Sequence, residues 1–300
     1  MEDRRSFSTY IVSLLLFGTN GVVAAYITDM GSTQIVLVRT LLGSIMLLSV
    51  FMLLKGRFQI MRNKRAAMML IISGASMGVS WMFQYEAYRD IGIGTTSLIY
   101  CCGPAILMGL APLLFHEKMA LNRLAGFTFV MAGAILMSVT GLESGGSTWG
   151  YYCGFMTAVA YVSMVIFNKM AMSEGNLENP TVQMTVAFLT VLTFLTIKGD
   201  LPSSIDIGDM IPLLILGLLN TGFGCFLYFT SIGRIEAQTV AICDYIEPAS
   251  AVLFAMLLLG ESAGVEEIIG MGLIAAGVII GFRNRGFDDL ILSTFRSDTR

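Results

Sequence analysis

Pro104–Glu117 reads PAILMGLAPLLFHE, and Pro248–Glu261 reads PASAVLFAMLLLGE. Each is a proline, twelve mostly apolar residues and a glutamate, and the second lies 144 positions after the first. The same offset pairs Ala105 with Ala249, Gly126 with Gly270, Gly133 with Gly277, Ala87 with Ser231 and Phe17 with Tyr161. A fixed offset over that range reads as an internal repeat of about half the chain. The composition says what kind of unit repeats. Charged residues make up 13% of the 300 residues, and mean hydropathy is +0.76. A water-soluble domain carries about 25% charged residues. So few charges cannot build a water-facing surface at this size, and the apolar content excludes disorder.

A helix crosses a bilayer with ~20 mostly apolar residues. Ten stretches qualify: 8–28, 32–54, 66–88, 93–115, 122–140, 149–170, 180–198, 209–230, 237–259 and 264–282. The connections are short and leave no room for a soluble domain. The first stretch is long, lacks a clear small-residue cleavage site and runs into further spans, so it reads as a span rather than a signal peptide. Of the eighteen Lys and Arg, all but Arg89, Lys198 and Arg39 sort to the side of the N-terminus. Basic residues favour the cytoplasmic side. Both termini are therefore expected in the cytoplasm, in a protein integral to the cytoplasmic membrane.

The repeat covers five spans. Five is odd, so the second copy enters the membrane upside down. The expected fold is an all-α integral membrane protein of ten transmembrane helices in two inverted five-helix repeats. The first repeat is 1–142, the second 149–282, and 283–300 is a cytoplasmic tail. Inverted repeats are the sequence sign of a secondary transporter with a midplane site between its halves.

Several classes are disfavoured. A net charge of −3 does not suit a nucleic-acid partner. One histidine, and five cysteines in apolar segments without CxxC spacing, provide no metal-ligand pattern. HExxH and the Walker A pattern are absent from the sequence, and no selectivity-filter motif is apparent. No cofactor, no metal and no enzymatic reaction are expected. The expected partners are a small-molecule substrate, the lipid bilayer and, as coupling ions, protons.

Ionisable residues inside a membrane are costly and mark functional sites. Here they are Arg39, Glu86, Asp244 and Glu247. Asp244 and Glu247 stand three residues apart, on one face of the ninth span if that helix is continuous, ~10–15 Å deep. Pro248 follows and removes a helical bond. Their first-half counterparts, Tyr100 and Gly103, carry no charge. The acidic pair is the candidate for substrate binding and proton coupling; the alternative is a neutral, hydrogen-bonded acid or a pair satisfied by Arg39. Arg39 is a coupling or gating candidate that either snorkels outward or pairs with a carboxylate. Glu86 and Arg89 lie one turn apart and are expected to pair with each other.

The third span carries WMFQYEAY at 81–88, which aligns Met77, Trp81, Gln84, Tyr85 and Tyr88 in one stripe. That stripe reads either as an interfacial belt or, at the deeper Trp81, as a cavity wall. Trp81, Tyr85, Tyr100 and Tyr161 are candidate substrate walls, with Tyr228 a further one. Asn20 and Asn220 are candidate polar contacts, with helix packing the competing use. GASMG at 74–78, GYYCG at 150–154 and GVIIG at 277–281 are close-packing patterns. Glu117 and Glu261 either cap the helices that follow them or help gate.

Taken together, these features resemble the EamA family of the drug/metabolite transporter superfamily. They are the Pro–apolar–Glu ends of the fourth and ninth spans, the glycine-rich fifth and tenth, Arg39 within VLVRTLLGSIML, and FGTN at 17–20. Phe17 stands where the family often has Trp. The resemblance covers nearly all of 8–282. It implies a ten-helix transporter whose cavity is lined mainly by helices 1, 3, 4, 6, 8 and 9, with helices 5 and 10 in support. It also implies export of amino acids or other small metabolites. The reading is a secondary active transporter that exports amino acids or related amine-bearing compounds by alternating access. Facilitated uniport or import of another small metabolite fits the same residues, and an intramembrane enzyme or channel is a more distant alternative.

Overall fold

Hydrocarbon offers no water to a backbone N–H or C=O, so an apolar run inside it must pair its own backbone. The computed structural model describes residues 4–56, 58, 60, 63–139, 147–171, 177–202, 206–260 and 264–282. Among them the regular elements are all helices. The first half holds α1 (Arg4–Gly18), α2 (Asn20–Ala24), α3 (Ser32–Leu53), α4 (Lys64–Tyr100), α5 (Cys102–Phe115) and α6 (Leu121–Val139). The second holds α7 (Thr148–Ala171), α8 (Glu178–Lys198), α9 (Met210–Leu214), a π-helical stretch (Ile215–Phe223) and α10 (Gly224–Ile232). It continues with α11 (Ala237–Cys243), α12 (Ile246–Phe254), a π-helical turn (Ala255–Leu259) and α13 (Val265–Phe282). Among the described residues nine segments are long and apolar enough to cross a membrane, and α13 is a further apolar helix of 18 residues. The chain is an all-α membrane protein. Glu261 and the tail 283–300 lie outside the described residues.

The helices follow the expected spans closely. The fourth span starts afresh near 93 as expected: α4 is two helices joined at a kink at Gly92, whose φ of 77° and ψ of 163° suit only glycine, and the span after the kink is Thr95–Phe115. The ninth span, Ala237–Leu259, tightens at Asp244–Tyr245, between α11 and α12, where both residues keep right-handed helical backbone. Pro248 is the reason: it has no N–H for the carbonyl of Asp244. That carbonyl accepts instead from the Glu247 N–H at 3.2 Å, a tighter turn. Pro104 withholds an N–H from Tyr100 in the same way. The two proline sites meet, because the Tyr245 hydroxyl donates to the Cys101 carbonyl at 2.7 Å.

Packing relies on small residues. α6 and α13 cross so closely that a Cβ on Gly126 would stand 2.5 Å from the Gly277 carbonyl oxygen. Gly133 and Gly270 repeat the contact along the same pair. The GVIIG pattern is thus used inside the chain. α4 lies between α7 and α8, with Gly74 and Gly78 against the backbone of Gln183 and Ala187. α3 packs on α8 and on the Ile215–Phe223 stretch, while α1 packs on α10 and α12. At one end Glu86 takes both Lys198 and, at 3.8 Å, the expected Arg89.

Gly126→Ala is expected to destabilise the protein by roughly 1–3 kcal/mol through overpacking. Gly272→Ala, whose Cβ would meet nothing within 4 Å, is expected to leave stability unchanged or slightly raised. Unfolding midpoints of the two variants in detergent check this.

Candidate functional site

The π-helical stretch sets up one side of the interior. Gly43 on α3 lies against Thr221 and Gly222, and Gly217 lies against Leu42. These close approaches bring Arg39, one turn before Gly43, onto the stretch. Arg39 is 7% exposed. Its Nε–H donates to the Thr221 hydroxyl at 3.1 Å, and its guanidinium stacks 4.4 Å from the centre of the Trp81 ring. Such a stack contributes up to about 2 kcal/mol when desolvated. Arg39 is therefore buried rather than snorkelling, and among the described residues it forms no direct ion pair with a carboxylate.

The tightened turn sets up the other side. Asp244 projects from the turn between α11 and α12 and accepts a hydrogen bond from the buried Tyr10 hydroxyl of α1. Its second oxygen, Oδ2, is buried without a hydrogen-bond partner. Tyr10 is held in turn by the Tyr228 ring, whose centre is 5.5 Å away. Phe17 packs on the same Tyr228 ring at 5.8 Å. Glu247, half-buried in the first turn of α12, has Arg39 as the cation acting on it. Tyr88, Tyr100 and Tyr228 also lie within electrostatic range of Glu247.

Other candidates fall into place around these. Tyr100 meets Tyr161 edge-on at 5.4 Å. Tyr161 is buried, with its hydroxyl unpartnered, and its ring fills the space that a Cβ at Gly103 would need. Tyr85 packs edge-on against Tyr88 at 5.5 Å, beside a cluster of α3, α4 and α8 side chains. Asn220 donates to the Leu16 carbonyl, Thr19 Oγ1 at 2.9 Å and Asn20 Oδ1 at 3.0 Å. The two asparagines thus meet each other and hold the step between α1 and α2. The structure brings Arg39, Trp81, Tyr100 and the Asp244–Glu247 turn into one interior region. Tyr10, Thr221 and Cys225 belong to it as well. No spacing rule singles out Tyr10, whose partner Asp244 is 234 residues away.

Glu117 does not cap the helix that follows it. Its two oxygens accept from the N–H groups of Ala237 at 2.6 Å and Gln238 at 3.0 Å, at the start of α11. Arg123 pairs with Glu236 next to it, and Lys169 donates to the carbonyls of Ile232 and Ile235. This clasp ties the end of α5 to the start of α11. Among the described residues no group of His, Cys, Asp or Glu forms a metal site.

The sequence profile of the EamA-like transporter family matches residues 6–139 and, a second time, 148–283. The chain belongs to the EamA-like transporter family. Relatives of this EamA-like transporter carry transporter names. The uncharacterized transporter YxxF of Bacillus subtilis is 19% identical over 278 residues, 90% of this chain and 87% of its own. A probable amino-acid metabolite efflux pump of Salmonella typhimurium is 27% identical over 210 residues, 64% of this chain and 69% of its own. A solved crystal structure superposes with a TM-score of 0.78 at 13% identity, covering 94% of this chain and 98% of the other. That likeness is one of fold.

Glu117→Gln keeps the size but offers one acceptor oxygen instead of two, so one N–H at the start of α11 loses its partner. The variant is expected to be less stable by about 1–3 kcal/mol. Lys118→Ala, at an exposed neighbour, is expected to stay within ±0.5 kcal/mol or so. Thermal unfolding of both in detergent provides the comparison.

Proposed function

We propose that this transporter exports small metabolites, amino acids or related amine-bearing compounds, across the cytoplasmic membrane by proton-coupled alternating access. The observation that carries the reading is the acidic turn at Asp244–Glu247. It lies at a tightened turn in the membrane interior, with Asp244 bonded to Tyr10 of the opposite half and its other oxygen bare. A carboxyl in that state changes its interactions strongly when it gains or loses a proton. Tyr10, Glu247, Tyr100 and Tyr245 are the titratable groups acting with it. Arg39 lies within electrostatic range of Glu247. The printed name of the Salmonella typhimurium relative supports the substrate class and the direction.

The moving parts in this reading are two inverted halves, 1–142 and 149–282, rocking about the interior site. The double family match supports the repeat, as does the Tyr245–Cys101 bond between positions 144 apart. The side preference of Lys and Arg supports cytoplasmic termini. Rocking separates α5 from α11, so the Glu117 clasp is a contact that the cycle breaks and remakes.

Currents from reconstituted protein on a solid-supported membrane, with an amino-acid panel and an imposed pH gradient, test the function. A saturating current that follows the gradient is expected. Asp244→Asn retains an oxygen for Tyr10 and is expected to fold, but to transport with a flattened pH–rate profile. Profiles unchanged from wild type in both Asp244→Asn and Glu247→Gln would remove the coupling role.

A further inference from the structure

The Tyr10 hydroxyl has one proton to donate and stands before two acceptors. It donates to Asp244 Oδ1, and the Val240 carbonyl oxygen lies 3.4 Å away. That carbonyl is neutral and already accepts from the Asp244 N–H at 2.9 Å, so an ionised carboxylate is the stronger acceptor of the two. Tyr10 itself is fully buried, its ring against Tyr228 at 5.5 Å.

The two oxygens of Asp244 are thereby made unequal. Oδ1 is taken by Tyr10, while Oδ2 is buried with no hydrogen-bond partner. A buried oxygen without a partner is costly, most of all when it carries charge. A proton added at Oδ2 forms an O–H bond there, removes the charge and leaves Oδ1 as the carbonyl oxygen facing Tyr10. The bond from Tyr10 then loses its charge assistance, which is about half its strength.

The helix that feels this change is α1. Its C-terminal end is fixed by packing. A Cβ on Gly18 would overlap the Ser250 side chain and stand 3.1 Å from the Ala251 backbone nitrogen. Phe17 lies against Gly224 and the Tyr228 ring, and Asn220 donates to the Leu16 carbonyl at 3.4 Å. None of these contacts involves a carboxylate. Tyr10 is eight residues earlier, about 12 Å along the helix, and its tie to the α11–α12 turn does involve one. The titratable groups around Asp244 are Tyr10 of α1, Tyr100 of α4, its neighbour Tyr245 and Glu247 of α12. Tyr228 of α10 and Cys243 of α11 act on Tyr10, and Arg39 of α3 acts on Glu247.

We infer that Asp244 takes its proton on Oδ2 and that Tyr10 is the positioning residue that responds to it: the ionised carboxyl fastens α1 to the α11–α12 turn, and the protonated one loosens the part of α1 ahead of Gly18. The inference rests on the proton-coupled reading above and gives it a moving part.

Infrared difference spectra of the purified protein across a pH titration test this without a substrate, the proton being the probe. The wild type is expected to show a protonated-carboxyl C=O band that Asp244→Asn removes. Tyr10→Phe keeps the ring against Tyr228 and removes only the hydroxyl. It is expected to shift that band to higher frequency, as a carbonyl freed from a hydrogen bond does. Amide hydrogen exchange, corrected for its intrinsic pH dependence, is the second readout. In the wild type, residues 4–17 are expected to exchange roughly fivefold faster below the band's midpoint than above it. Asp244→Asn, which offers Tyr10 a neutral oxygen, is expected to show the faster exchange on both sides. A band whose frequency Tyr10→Phe leaves unmoved overturns the inference, because the carbonyl oxygen is then not the one that Tyr10 holds. So does exchange in α1 that is equal on both sides of the midpoint. A band removed by Glu247→Gln instead of Asp244→Asn also overturns it and leaves proton coupling standing. No titrating carboxyl band that responds to either substitution removes both.

Discussion

A proline in the membrane interior leaves a carbonyl without its N–H, and hydrocarbon has no water to take its place. Pro248 does this to Asp244, and Pro104 does it to Tyr100. The response is local first: the Asp244 carbonyl takes the Glu247 N–H in a tighter turn. It is then tertiary, as Tyr245 reaches from one proline site to bond the Cys101 carbonyl at the other. The tightened turn carries two acidic side chains three positions apart. Asp244 meets Tyr10 of α1, and Glu247 lies within electrostatic range of Arg39.

The other side of the site depends on a different constraint, the closeness of helices whose side chains are missing. Gly43, Gly217 and Gly222 let α3 settle on the π-helical stretch. Only at that distance does the Arg39 Nε–H reach Thr221. The π-helical winding also turns Asn220 toward α1 and α2, where it holds Leu16, Thr19 and Asn20. The same residues thus secure the bundle and orient a buried charge. A lone guanidinium in lipid costs several kcal/mol or more; here an aromatic face and one hydroxyl offset part of that cost.

Much of the frame was legible along the chain. Apolar runs marked the spans to within a few residues, because a membrane selects on local composition and length. The glycine patterns marked the crossings of α4 with α8 and α6 with α13, because only small residues permit such approach. The site was legible in part. Asp244, Glu247, Arg39 and Trp81 stand out because charge and indole are rare at that depth. Tyr10 does not stand out, being one tyrosine among ten. Asn20 and Asn220 read equally as substrate contacts or as packing, and their mutual bond is invisible without the fold. Glu117 reads either as a cap on its own successor helix or as a gate; its carboxylate accepts from the start of α11, 120 residues away.

The sequence by itself determined the solvent, the helical class, the family resemblance and the positions of the prolines that interrupt the spans. Each of these depends on residues near one another in the chain or on totals over it. Only the tertiary structure decided which polar atoms meet. Tyr10 and Asp244 are joined across 234 positions and Arg39 and Thr221 across 182, and no local pattern encodes such pairs. It also decided that Arg39 meets Thr221 and Trp81, because helix crossings set those approaches.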